Sequence, residues 1–422
     1  MKVTFQAEND LQMPQTRGSM DTDVKTAKPP MCTAGHVLVI TSAFYRAAQG
    51  SAVVMRNLLA QFAPDSFTVV TGTVPARISA PIPPEIRVFT LPTTPPFTVR
   101  GERYWRDLCH PYIQHRIKSV VRKVRPALIL AVYPSLHMFS AAMNAAEANG
   151  VRWVAYLHDE LREQYRGTKY EDWAENVESR MFSSAEKVLV TGRGLCDLYR
   201  ARRSVECVPL EIAYCEAISS SLWPEPAGPP CAFMGGSIYS ANHRAMARLL
   251  GGAERAGISF KLAMPDSWGN LQRYGIAQLP TVEKVHYALR AEYLAALPGQ
   301  HILTVGLNWP DECSIAEAEL ATAFPTKVIE YLAAGRPILV HCPENYFLAR
   351  FFREHKCGIV VSTRDVGDIE AAMSKLLSER PEVDSIRRNA MRAAQIFSID
   401  RLKVAFSQTL EEAFRSQRVI AH

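Results

Sequence analysis

The sequence predicts an α/β protein made of two doubly wound parallel sheets in two domains. Three observations lead there. Short apolar runs alternate with helical patterns along most of the chain, which marks parallel sheets with helices on both faces. At 422 residues the chain is too long for one compact core. The alternation breaks once, over 209–230, in an irregular stretch ending Trp223-Pro224-Glu225-Pro226-Ala227-Gly228-Pro229-Pro230, and then begins again.

Residues 1–34 are polar, carry Pro29-Pro30 and hold no sustained period, so they read as a mobile N-terminal tail. Asp21-Thr22-Asp23 in that tail has no strand before it and is set aside as chance. His36–Thr41 reads as the first buried strand. It leads through a loop containing Gly50 and Ser51 to a helix expected from Ala52 to about Phe62. Strand, glycine-containing loop and helix make a nucleotide-fold opening, in which Gly50 lets backbone approach a ligand closely. Strand-like runs follow at Phe67–Thr71 and Ile86–Leu91, flanked by Pro-rich loops.

The segment from Arg100 to Arg125 holds eight Lys or Arg against Glu102 and Asp107, an excess of six that equals the net charge of the whole chain, +6. Ile113, Ile117, Val120, Val121 and Val124 recur there at helical spacing, with Arg116, Lys118, Arg122 and Lys123 on the remaining surface. The plainer reading is a solvated helix packed on the sheet. The alternative is a patch that docks on anionic lipid, where such residues contribute about 1 kcal/mol each.

Ala127–Val132 and Val151–Leu157 are the next strands, and the second ends in His158-Asp159-Glu160. In an open α/β sheet ligands sit beyond the carboxyl ends of strands, so His158 and Asp159 fall where chemistry would take place. The plain alternative is that His158 only caps the strand. Helices at Tyr170–Ser183 and Leu195–Arg202, with strands at Val188–Thr191 and Val205–Val208, complete a first domain over 35–212. A linker covers 213–230.

The second domain, 231–396, opens with Cys231–Ser237, a strand ending on Gly235-Gly236-Ser237, followed by a helix near Asn242–Leu250. Ser259–Ala263 and Ile302–Val305 are strands and Tyr287–Leu297 a helix. The most informative stretch is Phe324-Pro325-Thr326-Lys327-Val328-Ile329-Glu330-Tyr331-Leu332-Ala333-Ala334-Gly335-Arg336-Pro337-Ile338-Leu339-Val340. Pro325 suits a first helical turn, Gly335 suits a left-handed C-cap, and Pro337 begins a buried strand. The helix N-terminus offers backbone N–H groups and a positive dipole to a phosphate, with Lys327 adding full charge. Glu330, one turn in, can accept from a diol such as ribose. The competing reading is an ordinary αβ unit in which Lys327 and Glu330 form an i,i+3 surface ion pair. Asn345–His355, Gly358–Val361 and helices through about Phe414 close the chain.

The pattern F-P-x-K-x-x-E-Y-L-A-x-G-x-P resembles the donor-binding motif of GT-B glycosyltransferases, in the broad glycosyltransferase family 4 group. The resemblance extends over nearly the whole chain after residue 35. It implies two Rossmann-like domains facing across a cleft, and a C-terminal helix within 397–422 that crosses back onto the first domain. It implies a glycosyltransferase that moves a sugar from a nucleotide-diphosphate sugar to a glycan or lipid-linked acceptor, with retention and without a metal or cofactor. An inverting enzyme would instead need a general base near the acceptor, and Asp159 or His158 could serve. In this reading His158 and Lys327 are catalytic. Gly50, Ser51, Asp159, Gly236, Ser237, Arg244, Phe324, Thr326 and Glu330 bind substrate. Two departures stand out. The second glutamate common in the family, eight residues before Glu330, is Thr322. Of the Arg and Lys common after the first strand of the second domain, only His243 and Arg244 are available. An epimerase on the same fold and a non-catalytic nucleotide-sugar-binding protein remain as rivals.

Composition narrows the class further. Hydrophobic residues make up 48% and charged residues 21%, ordinary for a globular protein. No apolar run approaches the roughly 20 residues of a membrane helix. The first residues lack a hydrophobic signal core. The nine cysteines are scattered and odd in number, which fits reduced thiols better than a disulfide framework. The expected location is cytoplasmic, with the inner face of the membrane as the peripheral alternative. No nucleic-acid partner is expected.

Overall fold

The computed structural model describes residues 28–42, 44, 50–73, 83–93, 102–264, 272–275, 282–287, 289–378 and 380–416. The first lobe runs β1 (Val37–Thr41), α1 (Gly50–Leu59), β2 (Phe67–Gly72), β3 (Arg87–Leu91), α2 (Glu102–Val124), β4 (Leu128–Tyr133), α3 (Leu136–Ala148), β5 (Trp153–Leu157), α4 (Glu171–Ser184), β6 (Lys187–Val190), α5 (Arg193–Arg203) and β7 (Val208–Pro209). The seven strands form one sheet in the order β3-β2-β1-β4-β5-β6-β7, parallel throughout.

The second lobe runs β8 (Cys231–Gly235), α6 (His243–Arg255), β9 (Ser259–Ala263), β10 (Val282–Val285), α7 (Arg290–Ala296), β11 (Ile302–Gly306), α8 (Glu317–Thr322), α9 (Lys327–Ala334), β12 (Ile338–His341), α10 (Phe347–His355), β13 (Ile359–Val361), α11 (Val366–Ser378) and α12 (Arg380–Ala394). Its six strands, again parallel, are ordered β10-β9-β8-β11-β12-β13. Each order reverses direction once, between β1 and β4 and between β8 and β11. Such a reversal opens a crevice at the carboxyl ends of the two strands.

The continuous apolar runs follow from burial on both faces. In β1 and β4, Leu38, Ile40, Ile129 and Ala131 face α2, α3 and α4. The alternate residues Val37, Val39, Leu128 and Leu130 face α1 and α13 (Ile399–Arg415). That last helix brings Leu402, Phe406, Leu410 and Ala413 onto the first sheet from the far end of the chain. In the second lobe α9, α10 and α12 cover one face, and α6 and α11 the other.

The chain crosses between lobes twice, and the crossings are joined. Tyr214 N–H donates to the Phe397 carbonyl at 2.7 Å, and Ile399 N–H donates to the Tyr214 carbonyl at 3.0 Å. Behind the first crossing, the buried Arg387 donates to the carbonyls of Gly335 and Trp223, and Arg336 donates to those of Pro298 and Pro224. These bonds fasten the Pro-rich stretch to the second lobe. Gly194 of α5 sits so close to Phe347 of α10 that a Cβ there would lie 2.8 Å from the ring.

Several boundaries differ from expectation. The first helix begins at Gly50 rather than Ala52, and α9 begins at Lys327, with Pro325 before it and Thr326 as N-cap. Within the N-terminal stretch read as a tail, Met31 and Cys32 are buried beside Phe62 and Phe406. Thr33 bonds Glu411 and the Met31 carbonyl accepts from Ser407, so α13 holds this segment. Residues 1–27, including Asp21-Thr22-Asp23, lie outside the described residues.

Candidate active site

The crevice of the second sheet is lined first by Gly235 and Gly236, where β8 ends. Gly236 has φ +91°, and a Cβ there would stand 3.4 Å from Lys327 Nζ. At Gly235 a Cβ would collide with the Tyr293 ring, and its N–H donates to Tyr331 Oη at 2.8 Å. Gly235 is therefore required by close approach and Gly236 by its backbone angle. The Gly236 N–H is occupied by the Ala263 carbonyl at 2.8 Å. Ser237 is exposed beyond it.

Lys327 reaches into this crevice from the first turn of α9. Its Nζ lies 3.5 Å from Met234 Sδ. Burial pushes its ammonium down to about 8, with the Glu330 carboxylate pulling weakly upward. The i,i+3 ion pair of the competing reading does not form. Glu330, only 9% exposed, instead accepts from Arg290 Nη1 at 2.5 Å. Lys327 thus stands as a half-buried cation beside the glycine turn.

The helix ends offer fewer donors than the sequence implied. Val328 and Ile329 N–H groups close back on the Pro325 and Thr326 carbonyls at 2.9 and 3.2 Å. At α6, Asn308 Oδ1 accepts from the N–H groups of Arg244 and Ala245 at 3.0 and 2.9 Å, while its Nδ2 donates to the Ser240 carbonyl. A side chain from just past the end of β11 therefore caps the helix that follows the Gly235-Gly236-Ser237 turn. The Arg244 side chain is exposed, as is Thr326. Phe324 is taken up in packing. Its ring stacks on Phe397 with centroids 5.5 Å apart and meets Phe351 edge-on at 4.9 Å, which makes it part of an aromatic cluster.

The opposite wall comes from the first lobe. His158 follows β5, and its carbonyl accepts from Thr191 Oγ1 at 2.8 Å, which is a capping role. Its side chain does more. The ring meets Tyr156 edge-on at 4.4 Å, and Nε2 is buried without a hydrogen-bond partner. Burial pushes the imidazole down to about 3, so it is neutral at physiological pH. Asp159 beside it is pushed up by burial, against a hydrogen bond from Gln164. Glu160 is paired with Arg202 Nη1 at 2.5 Å. Gly50 and Ser51 form the start of α1, and the loop 45–49 before them lies outside the described residues.

Three residues that sequence reasoning passed over complete the site. Glu319 of α8 is raised by burial and by the facing charges of Asp159 and Glu160 from the other lobe. Tyr239, half exposed, stands near both Glu319 and Asp159. Arg290 holds Glu330. Thr322, at the position of the missing family glutamate, spends its hydroxyl on the Ala318 carbonyl at 2.8 Å. Among the described residues no group of three or more His, Cys, Asp or Glu side chains is gathered in metal-binding geometry.

No protein-family model matches the sequence, and no curated protein does. Solved structures do. A sucrose-phosphate synthase from Thermosynechococcus elongatus superposes with a TM-score of 0.65 at 16% identity, covering 90% of this chain and 99% of that one. A glycosyltransferase from Rickettsia africae gives 0.64 at 11% identity over 91% and 100% of the two chains. The Anabaena protein HepE, solved with UDP and glucose, gives 0.61 at 12% identity over 89% and 99%. This is the GT-B glycosyltransferase fold. In GT-B terms the two parallel sheets are its paired Rossmann-like lobes. Glu319 and Tyr239 of the second lobe come within electrostatic reach of Asp159 of the first.

Proposed function

We propose that the chain is a glycosyltransferase that transfers a sugar from a nucleotide-diphosphate sugar to a glycan or lipid-linked acceptor, retaining and independent of metal. The observation that carries this reading is the pairing of Lys327, a half-buried cation against Gly236, with the buried carboxylate of Glu330 at the switch point of the second sheet. Phosphate and ribose of one donor need that combination of charges one helical turn apart. The structures named above include one bound to UDP and glucose, which supports the same ligand class here.

As the bond from sugar to diphosphate breaks, negative charge grows on the leaving oxygen. A preorganised cation in a sheltered site stabilises that charge more than it stabilises the bound donor. Lys327 supplies it. Neutral His158, with a buried unpartnered Nε2, supplies a hydrogen bond to the donor sugar from the facing lobe. Asp159 and Glu319, both raised by burial, suit hydrogen bonding to sugar hydroxyls.

An acceptor carried on lipid fits the outer surface of α2. Leu108 is 75% exposed and Tyr112 49% exposed, and helical spacing places them on one face with His115, Arg116, Arg122 and Lys123, all exposed. Apolar side chains leading a basic face suit an anionic leaflet. Arg100 lies outside the described residues. Among those residues no helix is long and apolar enough to cross a membrane. A cytoplasmic protein meeting the inner membrane face peripherally accords with this surface.

The deciding experiment is calorimetric titration of a panel of UDP-, GDP- and ADP-sugars against the wild type and Glu330→Ala. Loss of a hydrogen bond to a charged group, worth roughly 1.5–3 kcal/mol, lowers affinity by about 10- to 150-fold. A folded Glu330→Ala protein with wild-type donor affinity would remove the donor site from this position.

A further inference from the structure

Arg290 belongs to no motif, yet it joins two carboxylates from distant parts of the chain. Its Nη1 donates to Glu330 Oε1 at 2.5 Å, and its Nε donates to Glu216 Oε1 at 3.3 Å. Glu216 follows Tyr214, the residue pinned to the second crossing. We propose that Arg290 is a positioning residue for the nucleoside: it fixes the Glu330 carboxylate to receive a ribose diol and keeps Lys327 free for phosphate. This rests on the donor-site reading above.

Valence and charge decide where the Glu330 carboxylate turns. An ionised carboxylate offers about four lone-pair directions. Arg290 engages Oε1 and the Tyr293 hydroxyl also bonds the carboxylate, so about two of those directions are left for the two O–H groups of a cis-diol. A buried carboxylate without a partner either takes up a proton or finds another cation. The cation nearest along α9 is Lys327, one turn away and on the same face. Its ammonium instead lies at Met234 and Gly236. Arg290 therefore settles a competition. With it in place, Glu330 is satisfied and Lys327 points into the crevice. Without it, the i,i+3 pair becomes the natural outcome, and both groups leave the ligand together. Glu216 holds the far side of the guanidinium, so the fork cannot swing off Glu330 freely.

The test reads ribose preference, which a merely structural residue would not change. UDP, GDP and ADP are titrated into the full-length wild type. The tightest is then compared with its 2′,3′-dideoxy counterpart in wild type, Arg290→Ala, Arg290→Lys, Glu330→Ala and the Arg290→Ala/Glu330→Ala double variant. The wild type should prefer the ribonucleotide by about tenfold or more. Arg290→Ala should lose most of that preference, Arg290→Lys should keep part of it, and the double variant should fall no further than Glu330→Ala alone. If Arg290→Ala does not fold, Arg290→Gln and Glu216→Gln read the same ratio, with Glu216→Gln showing the smaller loss. Full preference in a folded Arg290 variant overturns the proposal and leaves the donor site standing. A wild type that binds a nucleotide without ribose preference also overturns it. A wild type that binds none of the three at millimolar concentration overturns the donor-site reading, and this one with it.

Discussion

Replacing Lys327 by Met should make the protein more stable and a poorer nucleotide binder. Burial holds the Lys327 ammonium at about 8 instead of the ordinary 10.5. That difference corresponds to roughly 3 kcal/mol of destabilisation at neutral pH, at about 1.4 kcal/mol per pH unit. The sign follows from the depressed folded-state value. The penalty is complete below pH 8, shrinks between 8 and 10.5, and is gone above that. Met fills similar space beside Met234 and Gly236 without the charge. Denaturant melts should therefore show the Met variant more stable at pH 7, with the two proteins converging as pH approaches 10.5. Ligand binding should move the other way. Loss of the phosphate contact should weaken nucleoside diphosphate binding by about tenfold or more. Wild-type affinity should also fall as pH rises through about 8, whereas the variant's should stay flat. A Met variant that is less stable at pH 7 and binds UDP, GDP and ADP as the wild type does would show that the ammonium is a structural group, and the reasoning would fail.

His158→Ala should lower turnover while changing donor affinity little, since the hydrogen bond from Nε2 matters most as the donor sugar loses its leaving group. With the imidazole neutral above about 3, wild-type turnover should show no limb from this residue above pH 5. Equal losses in binding and turnover would place His158 in ground-state binding instead. For the basic face of α2, wild-type protein should co-sediment with anionic vesicles and release as salt rises. Joint replacement of Arg116, Lys118, Arg122 and Lys123 by Gln should abolish that binding, and unchanged sedimentation would reject the membrane contact.

What the sequence made legible depended on how local the cause was. The central strands of both sheets were readable because a parallel strand buried on two faces must be continuously apolar. Gly335 was readable as a C-cap because few residues other than glycine take φ +60° easily. β10 was not readable. It is an edge strand, Val282-Glu283-Lys284-Val285, whose charged middle residues are exposed, so it has neither a continuous run nor a full alternation. The donor motif marked Lys327 and Glu330 but not their partners. Arg290 is 40 residues from Glu330, and Asn308 is 64 from the helix end it caps. Such pairings arise from where the sheet brings strand ends together, and no spacing along the chain encodes them. The packing of Phe324 was hidden for the same reason. Its place in the motif pointed to ligand, while Phe397, 73 positions onward and absent from any local pattern, claimed its ring.

The position of α13 has a bearing on how the polypeptide acquires its shape. The strands at the heart of the first lobe are synthesised well before Leu402, Phe406, Leu410 and Ala413, which lie over Val39, Val69, Leu130 and Val154. Domains generally fold as units while synthesis proceeds from the N-terminus. Here the earlier unit waits for the later one, with an apolar sheet face open to solvent in the interval. A nascent chain halted anywhere before residue 399 carries that bare face, which makes it a natural client for a chaperone and an early substrate for proteolysis.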